Sequence, residues 1–530
     1  MEAAQTNRKL NSYQIVFLLI LAIYLIFNFS AMRNFGITWD EPSQHFIGQA
    51  YSDLLRGKID RIDFPAGNDL QYYGPFFEMV NYSFSSAMIE VFRMDPVIAF
   101  HLLLIITAAT GLYFFFKLAS LLFNERAALL ASSFWILHPI LSAHSQYNSK
   151  DIPVIAGFIT TLYFLLRGFF DRKCKFVIVS GAIFGLCLAT RIDVMFLLPI
   201  FFPAYAIYII FEHKTSSQEE FVARIKKDFL YSLLFVGIFA SFFYLAWPAL
   251  WRNPAFLFSA IGYFFHHSFP GHVLYFGDLY SGSALPWHYA IFHVLATTSA
   301  LVLLFAFWGF ISAARNMLSG KKIFFFSLIS LWIFLRLAFG LFPKSVKYDG
   351  VRHFMLVIPP ILILAGIGFD IFLKYLDKKF NLANEGRIKL LSTAIGLAFL
   401  WLLVEFFWIY PFGGSYYNET ARLMLGSQIE KRFDFEYWGP SYRQGMDWLN
   451  QYADPDSSFC VPIAGHLVGC YPVRADLSFD CTENANYLMS ITRWAYTPEN
   501  MEEIFKYEQK EPFYKISRYE SDLLVIYKLK

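Results

Sequence analysis

Two adjacent carboxylates, Asp40 and Glu41, follow directly after the first long apolar run of the chain. Pro42 suits the first turn of a helix and disfavours helical geometry in the residue before it. Glu41 is therefore predicted to cap a helix, and Asp40 to lie just outside that helix. A carboxylate placed there can serve as a general base, but it can equally satisfy the amides that open the helix. These residues alone leave both interpretations open.

A second acidic position is Asp151, which ends the polar segment 148–151 at the start of another apolar run. An Asp at that point can also serve only to favour the helix dipole. Glu78 opens an amphipathic stretch, for which a solvated helix face is the alternative to a role in binding. If the polar segments that carry Asp40 and Asp151 lie on the same face of the protein, the two carboxylates can act as a base and the group that orients it, or as ligands of a divalent cation.

The next candidate residue is Arg191, a cation that lies between two apolar runs. Its guanidinium can bind a phosphate through two parallel hydrogen bonds, while a pair with Asp193 or a lipid headgroup contact is an equally good interpretation. His266 and His267 lie in a longer polar loop without a third ligand at metal-type spacing, so no zinc site is predicted.

The composition sets the class of protein. Of the 530 residues, 57% are hydrophobic and only 16% are charged, against about a quarter in soluble domains. The net charge of +3 and the lack of a basic patch interleaved with aromatic residues argue against nucleic-acid binding. The sequence therefore predicts a polytopic membrane protein.

Apolar runs long enough to cross a bilayer recur along the first 411 residues. A spanning helix needs about 20 mostly apolar residues. About eleven runs approach this length, near 13–30, 96–116, 126–143, 152–170, 176–190, 193–211, 229–247, 288–313, 323–342, 353–376 and 388–411. Residues 1–411 are therefore predicted to form an α-helical transmembrane domain.

The loops between these runs alternate in charge. With the N-terminus in the cytoplasm, every second loop is rich in Lys and Arg, as the positive-inside rule requires. The opposite loops, chiefly 31–95 and 248–287, are less basic and are predicted to lie on the outer face. The polar residues with candidate chemistry are concentrated in these outer loops.

The last part of the chain, residues 412–530, is more polar than the rest. A helix near 442–452 and strand-like segments at 458–463 and 523–529 predict a small α/β domain. An odd number of spans places this domain outside the cytoplasm, where one pair among Cys460, Cys470 and Cys481 can form a disulfide. No two of the five cysteines are spaced as in a CxxC motif, which argues against a zinc or redox site of the familiar kind.

One predicted outer loop breaks the charge rule. The segment 344–354 carries Lys344, Lys347 and Arg352, followed by His353. Binding of a lipid-linked phosphate would explain basic residues on that face.

Taken together, these stretches resemble the GT-C superfamily of polyprenyl-phosphate-sugar-dependent glycosyltransferases, and look most like bacterial relatives of protein O-mannosyltransferases and aminoarabinose transferases. The similarity covers about residues 13–450, and the order and shared sidedness of the motifs make it specific. The matching segments are Asp40-Glu41, 148–153, 286–289, 348–354 leading to Pro359-Pro360, Tyr416-Tyr417-Asn418 and Tyr437-Trp438-Gly439. The proline-rich acceptor-loop signature of eukaryotic O-mannosyltransferases is absent, with Tyr73-Gly74-Pro75 in its place.

The resemblance implies an inverting transfer of a sugar from a lipid-phosphate donor to a lipid, glycan or protein acceptor at the outer face. Asp40 would be the general base, and Glu41 and Asp151 would orient it or the acceptor. A phosphate leaving group needs cationic stabilisation rather than an acid, which suits an excess of bases over free carboxylates. The candidate substrate-binding residues are Glu78, Lys150, Arg191, His266, Lys347, Arg352 and His353.

Two other classes of protein fit parts of the pattern. A transporter or lipid flippase would need paired polar sites at mid-membrane and internal repeats, and no convincing repeat is present. A membrane scaffold that binds partners through residues 412–530 would explain those residues but would give no role to the acidic residues of two separate loops.

Overall fold

The computed structural model describes residues 10–65, 69–213, 217–266, 269–315, 320–342, 345–380, 384–482, 484–493, 495–496 and 511–530. The helices are α1 (Ser12–Ala31), α2 (Glu41–Leu55), α3 (Phe76–Phe92), α4 (Pro96–Leu122), α5 (Glu125–Ile136), α6 (Pro139–Tyr147), α7 (Asp151–Asp171), α8 (Cys174–Leu188), α9 (Leu197–His213), α10 (Gln218–Ala246), α11 (Pro248–Arg252), α12 (Phe256–His266), α13 (Tyr289–Ala296), α14 (Ala300–Arg315), α15 (Gly320–Leu341), α16 (Ile358–Phe380), α17 (Asn384–Ile409), α18 (Glu419–Leu425) and α19 (Tyr442–Tyr452). The strands are β1 (His272–Tyr275), β2 (Asp278–Ser281), β3 (Ser458–Cys460), β4 (Ser478–Phe479), β5 (Tyr487–Ile491), β6 (Tyr514–Arg518) and β7 (Ser521–Lys528).

The helical architecture predicted from hydropathy is confirmed. Within the described ranges, 8 helices are long and apolar enough to cross a membrane, and two bent pairs, α5–α6 and α13–α14, raise the number to 10. The eleventh predicted run is α8, which has only 15 residues. A helix of that length is about 22 Å long, shorter than the hydrocarbon core of a bilayer.

Helix α8 nevertheless brings the chain back to the end of the bundle where α7 began. Arg191, just after α8, forms an ion pair with Asp151, the first residue of α7. The two helices therefore form a hairpin whose open end lies beside the candidate site, as the predicted alternation of loops requires.

Two predicted spans are bent, and the structure gives a reason for each. The break of 64° between α5 and α6 comes just before Pro139, which cannot continue a hydrogen-bonded helix. The break of 110° between α13 and α14 leaves carbonyl groups without helical partners. Asn418 provides the missing hydrogen-bond donors, because its side-chain amide donates to the carbonyls of Leu295 (2.7 Å) and Thr298 (2.6 Å). This accounts structurally for the last residue of the Tyr416-Tyr417-Asn418 motif.

The core of the bundle is formed by α7 and α16, the most buried of the spanning helices. Helices α14 and α16 approach closely because both carry glycine at the contact. A Cβ atom at Gly309 would overlap the carbonyl of Leu364, and one at Gly368 would overlap that of Phe305. Small residues at such contacts are typical of helices packed within membranes.

The residues after α17 contain a five-stranded sheet of order β4-β3-β5-β7-β6. Strand β3 is parallel to β4 and β5, while β7 is antiparallel to β5 and β6. The predicted helix is found as α19, and the predicted strands as β3 and β7. Helix α19 packs against the sheet at Gly445, where a side chain would clash with Met489. Cys460 and Cys481 form a disulfide, and Cys470 is free and exposed.

Candidate active site

A polar cavity of about 770 Å³ lies at the end of the bundle where α2 and α7 begin. The loops that the charge pattern placed on one face meet here, joined by side chains from the C-terminal residues. Its charged and histidine lining residues are Asp40, Asp69, Lys150, Arg191, Asp349, Arg352, His353, His466 and Arg493.

Arg352 is the centre of the charged cluster. Its three guanidinium nitrogens each contact a different carboxylate: Nη2 lies 2.5 Å from Asp40, Nη1 lies 2.7 Å from Asp349 and Nε lies 3.2 Å from Asp151. The guanidinium also lies over the indole of Trp438, 4.1 Å from the ring centroid. The ring and the three carboxylates together hold the guanidinium in place, and Trp438 belongs to the Tyr437-Trp438-Gly439 motif.

Arg191 forms a second centre beside the first. It pairs with Asp151, donates from Nε to Asp193 at 2.5 Å, and lies with Nη2 3.0 Å from Nδ1 of His353. Arg336 pairs with the same Asp193 at 2.7 Å. The pair with Asp193, expected as the alternative to phosphate binding, is therefore formed in a site that also opens to the cavity.

Asp151 links the two arginines. Its carboxylate contacts both Arg191 and Arg352, and also accepts from the Asn148 side chain at 2.7 Å. Asn148 in turn accepts from the Asp151 backbone amide at 2.8 Å. Asn148 thus caps the opening of α7, which leaves the Asp151 carboxylate free to orient the two guanidinium groups.

The charges of the described cluster balance. Each arginine in it has at least one aspartate partner, so the expected excess of bases over free carboxylates is wrong for these residues. The arginines are Arg191, Arg336, Arg352 and Arg493, and the aspartates are Asp40, Asp151, Asp193 and Asp349. An incoming anion must therefore displace a carboxylate rather than bind a free cation.

The C-terminal residues contribute to this cluster through Arg493. Its guanidinium donates to Asp349 at 2.7 Å and to the carbonyl of Tyr437 at 2.8 Å. Neither Arg493 nor Asp349 was predicted as a site residue. Asp349 lies within the 348–354 motif, which was a signal for it, but no local pattern distinguishes Arg493.

Asp40 is the most open carboxylate of the cluster, with 34% of its side chain exposed against 10% for Asp151 and 3% for Asp349. It occupies the N-cap position of α2, yet its side chain makes no capping hydrogen bond. The carboxylate is turned instead towards Arg352 and the cavity. The geometry thus separates the two interpretations of Asp40 and disfavours capping.

Glu41 lies elsewhere. It is the first residue of α2 rather than its cap, so the predicted helix start was one residue late. The buried carboxylate accepts from the backbone amide and the hydroxyl of Thr38, at 2.7 and 2.8 Å, and pairs with His101 at 2.8 Å. Glu41 does not line the cavity, but it fixes the turn that carries Asp40.

Lys150 and Glu78 form a buried ion pair with a separation of 2.9 Å. Burial raises the pKa of Glu78, and the nearby ammonium group opposes that rise. Lys150 lines the cavity next to the ring of Tyr73, whereas Glu78 is fully enclosed behind it. Glu78 is therefore placed to hold Lys150 rather than to touch a substrate.

Besides Glu78, two predicted binding residues lie outside the cavity lining. Lys347 is buried and donates to the carbonyl and hydroxyl of Ser345, at 3.1 and 3.0 Å, and burial lowers its pKa. His266 is exposed at the end of α12, where it contacts the carbonyl of Gly262. His267 and Lys344 lie outside the described residues. Among the residues that are described, no three His, Cys, Asp or Glu side chains are grouped as metal ligands would be.

An apolar groove of about 310 Å³ meets the polar cavity. Tyr73 and Arg191 line both. The groove continues between α8, α10 and α12, along side chains that include Leu188, Phe243 and Phe264. A molecule with a long apolar chain and an anionic head would fit such a junction, with the head beside Arg191.

Comparison with known proteins identifies the fold. Residues 79–248 match the family model described as dolichyl-phosphate-mannose-protein mannosyltransferase. No curated protein sequence matches the chain. The crystal structure of ArnT from Cupriavidus metallidurans bound to undecaprenyl phosphate superimposes with a TM-score of 0.52 at 14% identity, covering 97% of both chains, and its apo state gives 0.50. AglB from Archaeoglobus fulgidus, an archaeal oligosaccharyltransferase, gives 0.48 at 10% identity, covering 93% of this chain and 72% of that one.

The similarity to ArnT extends over nearly the whole of both chains. The expectation drawn from the loop motifs is confirmed: this chain is a polytopic membrane protein with the GT-C fold, and its residues 79–248 match the mannosyltransferase family.

Proposed function

We propose that the chain is a membrane glycosyltransferase that moves a sugar from a polyprenyl-phosphate-linked donor to an acceptor hydroxyl at the extracytoplasmic face. The observation that carries this proposal is the position of Asp40, an open carboxylate beside Arg352 in a polar cavity that adjoins an apolar groove. In this proposal the N-terminus is cytoplasmic, the membrane is the inner membrane, and residues 412–530 form an extracytoplasmic domain.

The donor would enter through the groove. Its polyprenyl chain would lie between α8, α10 and α12, and its phosphate would reach Arg191 and Arg352. This placement is supported by Arg191, which lines both the groove and the cavity. Guanidinium groups suit phosphate oxygens because their planar donors match them in pairs.

The reaction would be a single displacement. The acceptor oxygen attacks the anomeric carbon, its proton passes to Asp40, and the bond from that carbon to the phosphate oxygen breaks. The polyprenyl phosphate leaves with one more negative charge than it had as a diester. Arg191 and Arg352 stabilise that developing charge, so no acid catalyst is needed.

The balanced charges give this reaction an order. Arg352 already holds Asp40, so a donor phosphate must take over the Nη2 donor that Asp40 occupies. Displacement from Arg352 makes the Asp40 carboxylate available to the acceptor. Donor binding would thus prepare the base, while Asp151 and Asp349 keep Arg352 in place.

The positions of the charged residues support an enzyme over a transporter. Asp40, Asp151, Arg191 and Arg352 all lie at helix ends on one side of the bundle. A transporter would need its polar site near the middle of the membrane.

The test uses the purified full chain in lipid nanodiscs with a panel of polyprenyl-phosphate hexoses and pentoses labelled in the sugar. We expect loss of label from at least one lipid, to water or to an acceptor, with release of polyprenyl phosphate. If all label stays on the lipids while proteoliposomes carry a labelled lipid across the bilayer, the flippase alternative replaces this proposal.

A further inference from the structure

The cavity is also lined by aromatic rings from four separate parts of the chain. They are Trp39, Phe269, Tyr348 and Tyr496, all partly exposed. The rings of Trp39 and Tyr496 lie 4.9 Å apart, and those of Phe269 and Tyr348 are stacked at 4.2 Å. We refer to these four rings as the aromatic wall.

The charged residues form a series of ion pairs that leads from the groove to Trp39 and Tyr496 of the aromatic wall. Arg191 at the groove contacts Asp151, and Asp151 contacts Arg352. Arg352 contacts Asp349, and Asp349 contacts Arg493. At the far end, the Arg493 guanidinium lies 4.9 Å from the ring of Trp39 and 5.0 Å from that of Tyr496. Asp40 is attached to the middle of this series, at Arg352.

This order assigns the two ends of the cavity, given the proposed function. In a single displacement the attacking oxygen approaches the anomeric carbon from the side opposite the leaving oxygen. The groove places the leaving phosphate at the Arg191 end. The acceptor must therefore come to Asp40 from the Arg493 end, where Trp39 and Tyr496 lie.

We propose that the aromatic wall is the acceptor subsite and that the acceptor is a carbohydrate, which stacks a sugar ring on Trp39 and Tyr496 and presents a hydroxyl to Asp40. A pyranose ring has an apolar face of C–H groups and a polar rim of hydroxyls. Partly exposed aromatic faces next to charged side chains fit both parts of such a ring.

The backbone of the wall argues against an extended peptide as the acceptor. Recognition of extended peptides relies on free main-chain donors and acceptors. Here the Trp39 amide donates to the Trp438 carbonyl at 2.8 Å, and the Trp39 carbonyl accepts from His466 at 3.2 Å. The Tyr496 carbonyl accepts from the His272 amide at 2.9 Å. These main-chain groups already have partners within the protein.

The charges of the wall argue against recognition of an anionic group there. Arg493, the cation that contacts Trp39, Phe269 and Tyr496, is paired with Asp349 and bonded to the Tyr437 carbonyl, with only 3% of its surface exposed. Its guanidinium is surrounded by the rings of Trp39, Phe269 and Tyr496. Arg493 is therefore placed to support the wall from behind.

The experiment measures transfer from a lipid donor that the parent protein hydrolyses. The acceptor probes are octyl glucoside, octyl mannoside and a threonine-containing hexapeptide. We expect transfer to a glycoside in preference to the peptide. Trp39→Ala and Tyr496→Ala should each raise the KM for the glycoside about tenfold, while the KM for the donor and the rate of donor hydrolysis stay within twofold of the parent.

The controls separate a lost subsite from a lost fold. Trp39→Phe keeps an aromatic face and should keep most of the acceptor affinity. Trp287→Ala removes an exposed tryptophan that does not line the cavity and should change neither KM. An unchanged glycoside KM in both Trp39→Ala and Tyr496→Ala, or transfer to the peptide alone, overturns the inference. Failure of the parent to move the sugar of any lipid donor to water, to a glycoside or to the peptide would instead overturn the proposed function.

Discussion

Replacing Asp40 with asparagine tests the proposed base with little disturbance of its surroundings. Asp40→Asn keeps the shape of the side chain and an oxygen that accepts from Arg352, but it cannot take a proton from an acceptor. Loss of a general base costs about 10²–10⁴-fold in rate. We expect the rate of sugar transfer from the lipid donor to fall by that factor.

The structure also limits the effect of this substitution on stability. Asp40 makes no capping hydrogen bond, 34% of its side chain is exposed, and Arg352 retains Asp151 and Asp349 as partners. A neutral hydrogen bond in place of a charged one should cost about 1 kcal/mol. The melting temperature should therefore stay close to that of the parent.

Donor binding distinguishes a base from a binding residue. The Asp40 carboxylate competes with the donor phosphate for Arg352, so Asp40→Asn should bind the donor at least as tightly as the parent while kcat falls. Asp69→Asn is the matched control, because Asp69 lines the same cavity but accepts from Tyr73 at 3.1 Å. Turnover of Asp40→Asn close to that of the parent, or an equal loss in Asp69→Asn, would refute the assignment of Asp40 as the base.

Three further predictions concern topology, a buried ion pair and pH dependence. A membrane-impermeant maleimide applied to intact cells should label the exposed Cys470 but not the exposed Cys174, which follows α7 at the opposite end of the bundle; the reverse pattern would invert the proposed topology. Lys150→Met should lower the free energy of unfolding by about 3 kcal/mol or more, and with it the melting temperature, because it leaves the buried Glu78 carboxylate unpaired. Adding Glu78→Gln should restore most of the lost melting temperature. Burial raises the pKa of Glu436 to about 7 from its usual 4.5, so its contribution to stability should fall as the pH rises from 4.5 to about 7. Glu436→Gln should remove that part of the pH dependence, and equal slopes of melting temperature against pH in parent and variant would contradict it.

Hydropathy and charge alternation were sufficient to predict most of the helical fold. Both signals are local, since a spanning helix must be apolar along its length and its flanking loops carry the sorting charges. The bend at α13–α14 was missed because it depends on Asn418, which lies more than a hundred residues away and satisfies the open carbonyls. Local periodicity contains no information about such a contact.

The candidate site was predicted only in part, because local signals mark some of its residues and not others. Asp40, Asp151, Arg191 and Arg352 stood out because each is a charge at the end of an apolar run, and the structure brings them together. Arg493 carries no such local mark, and its contact with Asp349 joins positions 144 residues apart. The sequence also could not show that the arginines are already paired, because neutralisation depends on distances between loops rather than on their composition.

The pairing of Arg352 with three carboxylates determines which substitution can test its role in donor binding. Arg352→Ala would leave Asp151 and Asp349 buried without this cation, and breaking a buried pair costs about 3–5 kcal/mol, so loss of activity in that variant would not distinguish binding from folding. Arg352→Lys keeps the positive charge but cannot present three nitrogens to three carboxylates and a phosphate. It should remain folded and weaken donor binding by about 1.5–3 kcal/mol, or roughly tenfold to a hundredfold, as measured by binding of a labelled polyprenyl-phosphate sugar in nanodiscs. Lys374→Ala is the control, because Lys374 is exposed and pairs with Asp370 in α16, towards the end of the bundle away from the cavity. If Arg352→Lys binds the lipid as tightly as the parent and Lys374→Ala do, the phosphate does not contact Arg352, and Arg191 and Lys150 become the residues to test at the groove.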